Sequence, residues 1–256
     1  MLLKLPAASS RDCAHYAFSI SILGIINIIP LRSTVVIILL FMIKSSKKVV
    51  VLNNIPFTIE EKKVLRELRI PKIETLKEVQ EGHIAAAIKG AIETAYSLIR
   101  GKACYRTFKI TGMSADRVVI EESDQLFSGG NMVRLLKDCE YATLLVSTIG
   151  LDMVERIEEL KKSSLTDAYY LDRVGAWMAD YMAEQVGKII ETEIRKNGYE
   201  PTFRYAAGYG DWGLSAQSDI MRLTEANRIG VSITEVFIMI PRFSVSAVIG
   251  WEKKRI

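Results

Sequence analysis

The feature that most constrains the fold is a long amphipathic stretch between residues 166 and 197. Apolar side chains recur there every three or four positions, the spacing that places them on one face of an α-helix. The stretch ends at Asn197-Gly198, a pair typical of helix termination. We therefore predict one long helix that buries this stripe in the core. The stripe consists of Leu171, Val174, Met178, Tyr181, Met182, Val186, Ile189 and Ile194.

Strand and helix signals elsewhere are clustered rather than strictly alternating. Short β-branched or continuously apolar runs predict strands, and apolar residues at helical spacing predict helices. Clustered strands favour an α+β fold, in which long helices pack on a twisted sheet that is mixed or antiparallel. The predicted strands cover residues 47–52, 104–111, 118–121, 142–149, 231–240 and 244–251. The predicted helices cover residues 59–68, 76–99, 166–197 and 215–227, with a short one ending near residue 137 and another starting at Gly150.

Residues 1–46 differ in composition from residues 47–256, and we treat them as an apolar head before the main domain. Two apolar runs, residues 16–30 and 34–43, are separated by Pro30 and Arg32. One span across both runs would place that arginine near the middle of a bilayer, where it is costly. Three interpretations stay open: translation that begins at Met42, a membrane anchor, or a secretory signal without a clear cleavage site. Membrane association is expected only under the anchor interpretation, with the main domain on the cytoplasmic side.

Charge and cysteine content exclude several functions. The formal net charge is +4, from 34 basic and 30 acidic residues, and most of the excess lies in the head, so binding to nucleic acid has little support. Cys13, Cys104 and Cys139 are widely spaced and form no C-x-x-C pair, which favours a reducing, cytoplasmic location. With His15 and His83 as its two histidines, the chain has little material for a metal site or a histidine-based triad. We therefore predict no metal and no catalytic residue.

The segment most indicative of function is RYAAGYGDW, residues 204–212. Gly208 and Gly210 permit positive φ angles and close approach of a ligand to the backbone. Arg204 supplies a planar donor for a carboxylate or phosphate. Three aromatic rings and two alanines complete a surface suited to a small zwitterionic ligand with an aromatic base. From spacing alone, a structural glycine turn between a helix and a sheet fits equally well.

Arg204, Gly208 and Tyr209 form an Arg-x-x-x-Gly-Tyr pattern that resembles the S-adenosylmethionine-binding signature of the activation domain of vitamin B12-dependent methionine synthase. Residues 230–235 resemble the family's G-x-x-L-T-E segment, and residues 241–246 resemble its P-x-x-S-V-S-G segment. Residues 172–186 resemble its long helix. The resemblance covers residues 165–251 well and residues 47–164 loosely.

The resemblance implies specific roles for residues in these segments. Arg204 would pair with the carboxylate of S-adenosylmethionine, the backbone at Ala206 and Gly208 would contact the ligand, and Tyr209 would pack on it. Residues of the two later segments would face the corrin or serve the fold; they are Thr234, Glu235, Ser244 and Ser246.

This sequence also departs from the family pattern at three places. Ala207 stands where the family has a proline, and Ala247 stands where it has the closing glycine. Ala176 occupies the place of a carboxylate that the family holds near the sulfonium.

The function implied is the reductive reactivation of cobalamin in methionine biosynthesis. In the family, one electron from a flavodoxin-type reductase and the methyl group of S-adenosylmethionine restore methylcobalamin from inactive cob(II)alamin. The chain lacks the homocysteine, folate and cobalamin modules of methionine synthase. We therefore expect a stand-alone component of that methyltransferase activity rather than a complete enzyme, acting on cobalamin carried by a partner protein. The alternative is a non-catalytic module that docks on a corrinoid protein and has lost the ligand, possibly tethered to a membrane by the head.

Overall fold

A computed structural model describes residues 48–70 and 73–254 of the chain. The division predicted at residue 46 and the three interpretations of the apolar head fall outside the described residues. Within those residues, none of the helices combines the length and apolar character that crossing a bilayer requires.

Ten strands are present in the described residues. The three longest are β2, β5 and β10, and their residues supply the centre of one sheet. In chain order the strands are β1 (Val50–Asn53), β2 (Lys102–Met113), β3 (Arg117–Ile120), β4 (Ser123–Ser128), β5 (Cys139–Thr148), β6 (Tyr199–Pro201), β7 (Tyr205–Ala206), β8 (Ser232–Ile233), β9 (Met239–Ile240) and β10 (Ser244–Lys253).

Six α-helices accompany these strands. They are α1 (Glu61–Glu67), α2 (Gly82–Leu98), α3 (Gly130–Leu136), α4 (Asp152–Leu160), α5 (Leu165–Lys196) and α6 (Ala216–Thr224). Short 3₁₀ turns cover Leu76–Glu78 and Ala226–Ile229. The predicted α+β class is confirmed.

Eight strands form one antiparallel sheet in the order β4-β3-β2-β5-β10-β6. In addition, β1 pairs with β2, and β7 pairs with β10. Strands β8 and β9 form a separate two-stranded hairpin. Because β6 and β7 are short, they cover only parts of the outer edge of β10.

Helices cover both faces of the sheet. Alternate residues of a strand point to opposite faces, so Leu145 of β5 packs with α1, α2, α4 and α5. Its neighbours Leu144 and Val146 pack on the other face with α3 and α6. Strand β10 divides in the same way, with Ala247 on the α5 face and Val248 on the α6 face.

The long helix α5 matches its prediction closely, and its termini show why. The Ser164 hydroxyl accepts a hydrogen bond from the Asp167 amide at 3.3 Å, which caps the first turn. Arg195 and Lys196 lie in the last turn, where positive charge favours the helix dipole. At Gly175 an added Cβ would lie 2.8 Å from Cζ of Phe243, so the glycine allows the segment before β10 to approach the helix closely.

Two predicted elements differ from the structure. The predicted strand over residues 231–240 is wrong, because β8 and β9 are each two residues long and a turn containing Phe237 at φ +62° separates them. The predicted helix start at Leu76 is also wrong. Leu76 and Val79 do pack against the core, but from the 3₁₀ turn and the extended residue that follows it, so apolar spacing alone misplaced the helix start.

Candidate ligand-binding site

A cavity of about 440 Å³ lies at the outer edge of β10. Strand β7 pairs with Ala247 and Val248, and β6 pairs with residues 251–253. The first residues of β10, Ser244 to Ser246, line the cavity instead. Its other walls come from α5, α6, the hairpin residue Met239 and the segment from Arg204 to Tyr209. This volume lies within the range of small-molecule sites, roughly 300–1,000 Å³.

The glycine-containing loop is a tight backbone turn next to the cavity. Gly208 has φ +92° and Gly210 has φ +57°, a region that favours glycine. The Gly208 amide donates to the Trp212 carbonyl at 2.9 Å, and the Trp212 amide donates back to the Tyr209 carbonyl at 3.1 Å. These bonds fix the backbone of the turn, and the Tyr209 side chain beside them is 67% exposed.

Contacts to α3 and β4 fix this loop in place. The indole of Trp212 is buried, and its Nε1 donates to the Leu126 carbonyl at 2.8 Å. The Asp211 carboxylate accepts from the backbone amide of Asn131 at 3.1 Å, near the start of α3. An added Cβ at Gly210 would lie 2.4 Å from Nδ2 of Asn131, so this position requires glycine for space as well as for conformation.

Tyr205, at the start of the loop, is also held in place. Its ring stacks on that of Trp212, with centroids 6.2 Å apart, and its hydroxyl donates to the Tyr209 carbonyl at 3.0 Å. Contacts within the protein therefore hold the loop in this conformation without any contribution from a ligand.

One wall of the cavity carries a pair of opposite charges. A guanidinium nitrogen of Arg204 lies 3.1 Å from Oδ1 of Asp180, which projects from α5. The Arg204 side chain is 25% exposed and that of Asp180 is 72% exposed. Both charges are therefore accessible to a ligand.

Neutral polar groups line the β10 and α6 side of the cavity. The Ser244 hydroxyl donates to the Pro241 carbonyl at 2.6 Å and lies 3.0 Å from the Thr148 hydroxyl. Gln217 of α6 and Ser246 of β10 differ from Ser244 in their hydrogen bonding. Their side-chain oxygens are buried and have no hydrogen-bond partner among the described residues.

The structure brings together five of the eight residues predicted from the sequence. Arg204, Ala206, Tyr209, Ser244 and Ser246 all line the cavity. Whether they bind the predicted ligand stays a prediction.

The other three predicted residues do not line it. Gly208 shapes the loop. Thr234 holds the hairpin turn, because its hydroxyl accepts from the Ile238 amide at 3.0 Å, and Glu235 is an exposed residue of the same turn.

Two polar residues that line the cavity, Asp180 and Gln217, were not predicted from the sequence. Asp180 lies four residues after Ala176 and hence on the same helical face, so a search one turn along the predicted helix finds a carboxylate where position 176 lacks one. Gln217 gave no such signal. The buried face of α6 depends on where the helix packs, and local sequence does not specify that.

The described residues offer no alternative site for metal or thiol chemistry. They contain no group of three or more His, Cys, Asp or Glu residues that could hold a metal ion. Burial raises the pKa of the Cys104 thiol to about 11 and that of the Cys139 thiol to about 12. Both cysteines are therefore protonated and unreactive near neutral pH.

Comparisons with known proteins support the fold. No protein-family model matches the chain, and no curated protein matches it. Among solved structures, the chain is similar to the MetH reactivation domain, whose crystal structure was determined bound to AdoHcy. The match covers 82% of this chain and 80% of that one, with a TM-score of 0.52 and 16% sequence identity. At this identity the comparison shows that the two proteins share a fold.

Proposed function

We propose that the cavity at the β10 edge binds S-adenosylmethionine and that the chain serves the reductive reactivation of cobalamin held by a corrinoid partner. The observation that carries this proposal is the accessible Arg204–Asp180 pair beside a rigid, glycine-containing loop. Support comes from the fold shared with the MetH reactivation domain, which binds AdoHcy in its crystal structure.

The charge pair matches the amino-acid end of that ligand. S-adenosylmethionine carries a carboxylate, an α-ammonium group and a sulfonium. Arg204 would bind the carboxylate through its planar donors, and Asp180 would face one of the two cationic groups. The ligand therefore replaces one ion pair with two, and its second cationic group is left for other contacts.

The loop would supply the remaining contacts. Ala206 has a short side chain, so the ligand can approach the backbone closely at this position. The exposed ring of Tyr209 can fold over the ligand, since its flat face suits both an adenine ring and a sulfonium.

In this function the chain positions the methyl donor and leaves the redox chemistry to its partners. A flavodoxin-type reductase would supply one electron, and the partner's reduced cobalamin would then accept the methyl group, with AdoHcy as the other product. The opening beside Tyr209 is where the partner would approach.

Calorimetric titration of the full chain with S-adenosylmethionine tests the proposal. We expect saturable binding, which Arg204→Ala weakens roughly 10- to 100-fold because a charge-assisted hydrogen bond is lost. Arg195→Ala is the matched control, since Arg195 forms exposed ion pairs at the end of α5. Absence of binding by the wild type would overturn the proposal and favour a docking module without ligand.

A further inference from the structure

The cavity contains a second polar feature, separate from the charge pair. Gln217 is 6% exposed and Ser246 is 2% exposed, and both line the cavity. Oε1 of Gln217 and Oγ of Ser246 are two of four buried side-chain polar atoms in the described residues that have no hydrogen-bond partner. A buried polar group without a partner destabilises the folded protein. Two such groups line one cavity, so each has a hydrogen bond available for a bound molecule.

The position of these groups relative to the charge pair orients the ligand. Asp180 comes from α5 and Gln217 from α6, and these helices pack on opposite faces of the sheet. The cavity therefore extends across the sheet edge, with charged groups towards one face and neutral groups towards the other. A ligand with one charged and one neutral end fits only one way round.

We propose that Gln217 and Ser246 recognise the adenine base of the ligand, so that they determine specificity for an amino-purine. This inference rests on the proposed function, which supplies the identity of the ligand. Oε1 of Gln217 is an acceptor and needs a donor, which the adenine amino group provides. The Ser246 hydroxyl can donate to an adjacent ring nitrogen. The base then lies on the α6 side, and the amino-acid end lies at Arg204 and Asp180.

The test compares two ligands on the full chain. One is S-adenosylmethionine, and the other is its analogue with purine in place of adenine, which lacks the 6-amino group. We expect the wild type to prefer S-adenosylmethionine about tenfold, and Gln217→Met to remove this preference. Ser246→Ala should lower the affinity for both ligands equally, because both retain the ring nitrogen.

Matched controls separate recognition from general effects of substitution. Ser147 on β5 is buried, and its Oγ is also unpartnered, but it does not line the cavity. Ser147→Ala should therefore leave both affinities unchanged. Gln185→Met makes the same change as Gln217→Met on the outer side of α5. The apo melting temperature of Gln217→Met should equal or exceed that of the wild type, because an unpartnered buried oxygen is removed.

The possible results are distinguishable. If the wild type binds neither ligand, the proposed function fails. If it binds S-adenosylmethionine but Gln217→Met retains the tenfold preference, the function stands and the base assignment is overturned. Should Gln217→Met fail to fold, Ser246→Ala still decides, since an unchanged affinity in that variant would also contradict the inference.

Discussion

Two of the cavities in the described part of the chain lie beside α5, and the larger of the two is the poorer candidate for a ligand site. It measures about 850 Å³ and lies along the outer side of α5, next to Ile55 and Pro56. Several of its polar groups already have partners: the Thr192 hydroxyl donates to the Lys188 carbonyl at 2.7 Å, and Glu193 accepts from the Tyr105 hydroxyl at 3.1 Å.

The smaller cavity differs in the groups that its walls present to a ligand. It has buried oxygens without partners, an accessible charge pair and a rigid loop. Unmet hydrogen-bonding capacity, rather than enclosed volume, is therefore what favours the smaller cavity as the candidate site.

The largest effect is expected from Trp212→Ala, which removes the anchor of the loop. Loss of this buried indole should lower the free energy of unfolding by about 3–5 kcal/mol. It should also abolish ligand binding, because the loop is then no longer held in the position where it forms a wall of the cavity. Denaturant unfolding and calorimetry measure the two effects. Trp212→Phe keeps an aromatic ring but loses the hydrogen bond to the Leu126 carbonyl, so it should lower stability less than Trp212→Ala does. Equal losses of stability in the two variants would show that the indole N–H is what holds the loop.

An intermediate effect is expected at two glycines, one beside each cavity. Gly210 and Gly198 both have positive φ, so alanine should cost about 1–2 kcal/mol at either position. At Gly210 the new Cβ would also meet Asn131 and the Tyr205 hydroxyl at 2.4–2.5 Å, whereas nothing lies within 4 Å at Gly198. Gly210→Ala should therefore be the more destabilising and should alone weaken binding of S-adenosylmethionine. If Gly210→Ala and Gly198→Ala show similar stability in denaturant unfolding and similar affinity in calorimetry, the loop tolerates the displacement that the new Cβ at Gly210 causes.

The smallest effect concerns pH and the larger cavity. Burial raises the pKa of Tyr105 above its usual value near 10, and the charge of Glu193 and the hydrogen bond to it add to this shift. The folded state therefore favours the neutral phenol. This contribution to stability is complete below about pH 10 and declines above it, when the tyrosine ionises in the unfolded chain.

Tyr105→Phe should accordingly flatten the alkaline loss of stability, as measured by denaturant unfolding from about pH 9 to 11. Its affinity for S-adenosylmethionine at neutral pH should equal that of the wild type. An altered affinity would show that the two cavities are coupled through the sheet.

The sequence predicted the main elements of the fold more reliably than their junctions. The stripe from Leu171 to Ile194 placed α5 within one or two residues, because a long periodic pattern averages over local irregularities. Strands β6 and β7 were missed, since two or three residues carry too little pattern, yet their shortness is what leaves the β10 edge open. The predicted strand over residues 231–240 failed because an apolar run does not reveal a positive φ at Phe237.

The chain by itself determined the α+β class, the long helix and the loop that carries Arg204, Gly208 and Tyr209. All three are local properties, since they depend on spacing, turn chemistry and side-chain type. Only the tertiary structure decided that Asp180 faces Arg204 and that Gln217 and Ser246 are left without partners in one cavity. Those relations join α5, α6 and β10, and the packing of distant segments, rather than any local pattern, determines which side chains meet and which remain unsatisfied.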